Sequence, residues 1–257
     1  MTRRFAVKRL PDGRAFLNLG SSAHVAPGWN NVDWSWLLRL AHWPRFASLL
    51  HTTGILSDFR NERLRRLDSD AICWDLRRGV PFPDGVFDVV YHSHVLEHIE
   101  REAVPGFLSE CLRVLKPGGT LRVVVPDLER LARRYVSTLE RPSGRVVDAE
   151  YDSAVNDILD QLVRQTPKAR SSQPFAVRLL EAVFVGDTSR SGERHRWMYD
   201  RFSLHRLLLG VGFYRVTVLD ERTSEIEGWS AFGLDVGADG TAYKPDSLYL
   251  EARRTLR

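Results

Sequence analysis

The side chains best equipped for chemistry sit in two short stretches. Along 94–98 the order is His-Val-Leu-Glu-His, so one helical turn would put the imidazoles of His94 and His98 on one face beside Glu97. Along 193–200 the order is Glu-Arg-His-Arg-Trp-Met-Tyr-Asp, which separates His195 and Tyr199 by the same interval. A side chain that can take a proton from a reacting hydroxyl is what base catalysis needs, and His94, His98, His195 and Tyr199 are the candidate catalytic residues. The same positions admit plainer roles: a cap or packing site for His94 and His98, a surface loop for His195 and Tyr199. The order differs from the His-Glu-x-x-His of helical metal sites, so no metal is expected.

Two further residues mark a ligand edge. Gly20 ends the apolar run 15–19, and a glycine at the carboxyl end of a strand lets a ligand approach the backbone. Asp33 ends the next short strand, where a carboxylate can accept hydrogen bonds from the ribose of a nucleoside-like cofactor. A turn glycine and a surface aspartate would leave the same trace.

These residues need a scaffold, and the hydrophobic pattern supplies one. Short strands are expected at 15–19, 31–33, 71–74 and 87–91, with irregular helices between 34 and 67. Residues 102–115 carry Val104, Phe107, Leu108, Cys111, Leu112 and Leu115 at i, i+3, i+4 spacing, the stripe of a helix packed on a sheet. Pro117-Gly118-Gly119 stops it, and 120–125 reads as a strand buried on both faces. Helical patterns fill 128–185 with breaks at 141–144 and 171–174; a helix at 202–209 and strands at 214–219 and 247–252 follow. This alternation implies an α/β sheet, mostly parallel, with ligands at the carboxyl ends of its strands. The densest basic run, 60–66, is interrupted by Glu62 and Leu64 and reads as a solvated helix face.

The segment 84–99, Asp-Gly-Val-Phe-Asp-Val-Val-Tyr-His-Ser-His-Val-Leu-Glu-His-Ile, followed by 110–121, Glu-Cys-Leu-Arg-Val-Leu-Lys-Pro-Gly-Gly-Thr-Leu, resembles class I S-adenosylmethionine-dependent methyltransferases. Leu-Asn-Leu-Gly at 17–20, Gly-Trp-Asn-Asn-Val-Asp at 28–33 and Tyr-Lys-Pro-Asp-Ser-Leu-Tyr at 243–249 are similar to one branch of that superfamily. The resemblance implies a single Rossmann-like domain over 1–257: a doubly wound seven-stranded sheet, mostly parallel with an antiparallel last strand. Helical insertions would fall at about 37–69 and 136–199, the second covering the acceptor pocket. It also implies S-adenosyl-L-methionine as cofactor and S-adenosyl-L-homocysteine as product. Asn18, Gly20, Ser21 and Ser22 would meet the methionine part and Asp33 the ribose, with Trp34 beside it. Asp75 and Leu76 would meet the adenine, and His92 and Ser93 the sulfonium. Where more glycine is usual in the first loop, this chain has Ser21-Ser22, and Asn18 stands where an acidic residue is frequent. The reaction implied is in-line transfer to a hydroxyl of a saccharide or other small metabolite. The alternatives are a nitrogen or carboxyl acceptor on a small molecule or peptide, and a cofactor-binding scaffold without catalysis.

Composition narrows the partners. The 257 residues carry 37 Lys plus Arg against 33 Asp plus Glu, a formal net charge of +4, with 43% hydrophobic residues. Those values suit a folded globular chain, and the dispersed arginines form no block of nucleic-acid-binding density. Cys73 and Cys111 lack a close Cys or His partner and are expected as reduced, buried thiols. No run of about 18 apolar residues occurs, nor a signal-peptide core near the start. The expectation is a cytoplasmic protein with a small-molecule partner, without nucleic acid or membrane, and with a homodimer left open.

Overall fold

The computed structural model describes residues 5–68, 70–140, 149–162 and 195–256. Seven strands, β1 (Phe16–Leu19), β2 (Asn30–Asp33), β3 (Ile72–Cys73), β4 (Phe87–Ser93), β5 (Leu115–Pro126), β6 (Phe213–Leu219) and β7 (Ser247–Arg254), form one sheet in the order β3-β2-β1-β4-β5-β7-β6. β1 pairs in parallel with β2 and β4, β2 with β3, and β4 with β5. β7 runs antiparallel to β5 and β6. This is the Rossmann-like sheet that the resemblance implies.

The helices are α1 (Trp36–Ala41), α2 (Pro44–Thr52), α3 (Asp58–Arg65), α4 (Val104–Val114), α5 (Leu128–Leu139), α6 (Ala149–Leu162) and α7 (Arg201–Val211). The insertion expected at 37–69 is thus helical. Of that expected at 136–199, α6, the end of α5 and 195–199 are described, and the remainder lies outside the described residues.

Side-chain alternation along the strands divides the core in two. Leu17, Leu19, Val90, Leu121, Val123 and Leu250 face the stripe of α4 (Val104, Phe107, Leu108, Cys111) and Leu204 and Leu208 of α7. Asp200 and Ser203 close a capping box at the start of α7, and Gly212 ends it at φ 110°, a left-handed position that strains any residue with a Cβ. The opposite face carries Phe16, Tyr91, Val124 and Tyr249, covered by Trp29, Ile226, Trp229 and Leu234.

In the middle of that second face stands Arg122, without exposed surface. The strand read from 120–125 is buried on both faces, but one of its inward positions is a cation. The Arg122 guanidinium donates to Asp235 Oδ2 and Glu251 Oε1, each at 2.7 Å, and to the carbonyls of Thr223 and Asp220, each at 3.0 Å. Tyr91 Oη and Trp229 Nε1 donate to the same Asp235, and Ser224 Oγ and the Glu225 N–H to Glu251. These bonds pin the 220–236 segment across β4, β5 and β7.

Arg122→Met should therefore leave two buried carboxylates facing each other without a counter-ion. Removing one partner of such a pair costs about 3 to 5 kcal/mol, which urea unfolding should read as a matching loss of stability. A variant as stable as the parent would show that the network does not hold the second face.

Candidate functional site

A cleft of about 640 Å³ opens at the carboxyl ends of β1 and β4. Asn18, Tyr91 and Ser93 reach it from the two strands, and the 20–24 turn forms one wall. Phe59, Glu62, Arg63 and Arg66 from α3, the imidazoles of His94, His98 and His195, and Tyr243 with Lys244 complete it. The basic run at 60–66, expected as a solvated face, thus turns part of itself into the cleft.

The 20–24 turn is folded tightly under β2. Both Gly20 and Ser21 donate their backbone N–H to the Val32 carbonyl, at 2.8 and 3.2 Å. Gly20 adopts φ 69°, and a Cβ there would stand 2.5 Å from Val95 Cγ2. Glycine is needed because the turn packs directly on Val95. The Asn18 amide donates to the His24 carbonyl at 3.0 Å and to Asn31 Oδ1 at 3.3 Å, which holds the turn from below. Ser22 sits at φ 47°. The buried Ser21 hydroxyl has no hydrogen-bond partner among the described residues. His24 stacks on Tyr243 with ring centroids 3.7 Å apart, and burial lowers its pKa.

The Asp33 carboxylate lies beside the cleft at the end of β2. Burial raises its pKa, opposed by hydrogen bonds from the Ser35 hydroxyl and the N–H groups of Trp34 and Ser22. The Trp34 ring is exposed and carries the Arg39 guanidinium 4.0 Å from its centroid.

Five positions assigned to the cofactor are not in the lining: Asp33 and Trp34 at its edge, and Asp75, Leu76 and His92. Asp75 caps the 3-10 turn Leu76–Arg78 and binds the Arg77 guanidinium with both oxygens, at 2.9 and 2.8 Å. That hydrogen bonding keeps its carboxyl below the usual range, and Leu76 is committed to the same turn. The Asp75 carboxylate thus receives three donors, all from Arg77. His92 points to the helical side of the sheet, where its ring packs on Phe107 with centroids 5.4 Å apart. Its ring nitrogens have no partner among the described residues, and burial lowers its pKa to about 4.

The histidine wall is built on a buried carboxylate. Leu96–His98 is a 3-10 turn, and His94 precedes it at φ 54°, so the two imidazoles are not stacked on an α-helical face as their spacing suggested. They nonetheless meet at the cleft. Glu97 beneath them has no exposed surface. Its nearest donor is His94 Nδ1, 3.1 Å from Oε1, but neither carboxylate oxygen makes a well-directed hydrogen bond among the described residues. Burial pushes its pKa up, and the His94 bond with the charges of His94 and His98 outweighs that and lowers it. On its other side His94 Nε2 is 2.9 Å from Ser247 Oγ.

His195 packs its ring on His98, with centroids 4.9 Å apart, and its Nδ1 is 2.8 Å from the Gln161 carbonyl at the end of α6. Glu97, His98 and His195 each bring one ligand-type atom within 4.8 Å of the others. A reading limited to neighbours in sequence could not find that set, because His195 comes from the far side of the second insertion. Tyr199 lies outside the lining: it is 3% exposed and bridges to Asp127 beside β5. Burial and then the Glu97 charge raise its pKa to about 12, which disfavours it as a base at neutral pH. Of the other residues that sequence reasoning missed, Tyr243 and Lys244 lie inside a recognised motif. The α3 residues gave no signal, because α3 has no buried stripe.

Residues 52–123 match a family described as "Methyltransferase domain". A Mycolicibacterium smegmatis protein named as a probable S-adenosylmethionine-dependent methyltransferase is 44% identical over 57 residues, 21% of each chain. A ubiquinone/menaquinone biosynthesis C-methyltransferase of Paracoccus denitrificans is 29% identical over 141 residues, 52% of this chain and 54% of that one. The match therefore spans about half or less of these curated relatives. A solved S-adenosylmethionine-dependent methyltransferase from Archaeoglobus fulgidus aligns over 94% of this chain and 86% of its own at 13% identity, with a TM-score of 0.39.

His92 makes the fold sensitive to acid. Its folded pKa of about 4 lies below the ordinary 6.5, so the unfolded chain takes up the proton first as pH falls. The part of stability linked to His92 should be fully present above about pH 6.5 and be lost toward about pH 4, by about 3 kcal/mol. His92→Leu should flatten the slope of stability against pH across that window, read by urea unfolding at several pH values. An unchanged slope would place the sensitivity elsewhere.

Proposed function

We propose that this chain is an S-adenosylmethionine-dependent methyltransferase acting on a small polar acceptor, with a hydroxyl of a saccharide or similar metabolite as the group methylated. The observation that carries the reading is the placement of the cleft. It opens at the carboxyl ends of β1 and β4, between the 20–24 turn and the imidazoles, in a chain whose residues 52–123 match a methyltransferase domain.

The residues present suit the cofactor. The Asp33 carboxylate ends β2 beside the cleft, where it could accept from a ribose hydroxyl. The Ser21 hydroxyl, without a partner among the described residues, and Ser22 line the cleft and would meet the methionine part. Glu62, Arg63, Arg66 and Lys244 in the lining could pair with the ammonium and carboxylate of an amino-acid group. When bound, the cofactor supplies a methyl carbon activated by a positive sulfur, which leaves the chain to align the acceptor and exclude water.

His94 is the candidate base. Its Nδ1 faces the Glu97 carboxylate, so Nε2 is the basic nitrogen, now hydrogen-bonded by Ser247. An acceptor hydroxyl entering from the cleft finds there a nitrogen that can take its proton. The small polar acceptor suits a lining of serine, asparagine and charged groups. The C-methyltransferase name of the Paracoccus denitrificans relative supports carbon as a second candidate acceptor atom.

Calorimetry with S-adenosyl-L-homocysteine tests cofactor binding: Asp33→Ala should lose about ten- to a hundredfold in affinity. Methyl transfer from labelled cofactor into a metabolite extract tests catalysis. His94→Gln should keep cofactor affinity within a fewfold and lose about a hundredfold or more in turnover. No binding by the parent chain would refute the reading, and full turnover in His94→Gln would remove His94 from the chemistry.

A further inference from the structure

We infer that Glu97, His98 and His195 form a binding site for one divalent cation of the zinc class, with an open coordination position facing the cleft. Three observations converge on it. The ligand-type atoms of the three residues lie within 4.8 Å of one another. A cation bound at about 2.0 to 2.2 Å from each needs them roughly 3.4 Å apart. Rotation of two imidazoles over a little more than an ångström closes that gap. Two histidines and one carboxylate are a ligand set that holds zinc with a fourth position left for water or substrate.

The carboxylate is the second observation. Glu97 has no exposed surface, its Oε2 meets no donor among the described residues, and the groups nearest to it are imidazoles, His94 on Oε1 with His98 and His195 close by. An ionised carboxylate is costly to bury unless it is paired or coordinates a metal. A cation on the open side of Glu97 supplies the missing compensation and leaves the His94 contact in place.

The third observation is the support behind His195. The Gln161 carbonyl can only accept, so His195 donates Nδ1–H to it and carries its lone pair on Nε2. Metal-bound histidines are oriented in this way, by a carbonyl or carboxylate on the nitrogen opposite the metal. The same bond ties the end of α6 to the site, so cation binding would draw together the 94–98 turn, the start of 195–199 and α6. His98 and His195 both line the cleft, which aims the open position at the space next to His94. On the methyl-transfer reading, that position would hold an acceptor oxygen and lower its pKa before transfer. The cation site itself does not depend on that reading.

The experiment uses tag-free, full-length protein stripped with a chelator and titrated with Zn²⁺, and with Co²⁺ as a spectroscopic probe, in the absence of cofactor and acceptor. One equivalent per chain is expected, with micromolar or tighter affinity and visible Co²⁺ bands of four- or five-coordinate type. Glu97→Gln, His98→Ala and His195→Ala should each weaken binding at least tenfold. His195→Ala, outside the sheet, with the parent's circular dichroism, guards against a loss caused by unfolding. Binding below one equivalent, octahedral Co²⁺ spectra typical of a solvated ion, or a folded His195→Ala with the parent's affinity would overturn the site. Failure here leaves cofactor binding intact, and failure of cofactor binding leaves this titration unaffected.

Discussion

A guanidinium with no exposed surface sets the terms for this molecule. Desolvating Arg122 costs several kcal/mol unless strong acceptors surround it, and the chain supplies two carboxylates and two carbonyls. Those acceptors come from β7 and from the 220–236 segment, so satisfying one side chain of β5 fixes how that segment crosses the sheet. Trp229 and Tyr249 place their rings near the same guanidinium, at 4.9 and 5.5 Å to the centroids. The segment that follows brings Tyr243 against His24 and Ser247 against His94. The second wall of the cleft is thereby a consequence of a buried charge some distance beneath it.

The first wall depends on contact rather than charge. Gly20 lets the backbone of the turn rest on Val95, the residue after His94. The turn after β1 and the turn after β4 are thus locked to each other, and a left-handed His94 can aim its ring at the cleft while the chain reverses into Leu96–His98. Non-glycine residues at positive φ, here Ser22 and His94, cost of order 1 kcal/mol or more and cluster where function requires an exact placement. Both line the cleft.

Glu97 is the electrostatic centre of the site. In a low-dielectric pocket one carboxylate acts on every neighbouring titratable group: it holds His94, lies within reach of His98 and His195, and raises the pKa of Tyr199. Such an arrangement separates the roles of groups that look alike in sequence. Burial keeps His92 neutral against the pull of Glu97, and Tyr199 keeps its proton behind the wall, while the three imidazoles of the cleft line the space open to a ligand.

The order of strands and helices, the helical stripe of α4, the glycine after β1 and the turn after β4 were legible in the amino-acid sequence. Each is set by local chemistry: period-two and period-3.6 burial, proline and glycine breaks, and the need for a positive φ. The wall of His94, His98 and Ser93 was legible for the same reason, since one short segment carries all three. Tertiary structure alone decided which polar residues share a space. Asp75 pairs with Arg77 two positions on, whereas Glu97, a neighbour of two candidate histidines, turns out to be buried and short of donors among the described residues. His195 joins it from beyond the second insertion, and Arg122 finds Asp235 and Glu251 far along the chain. Sequence periodicity reports how a residue faces its own element. Whether a buried charge is compensated depends on groups brought by other elements, and only folding puts those within a few ångströms.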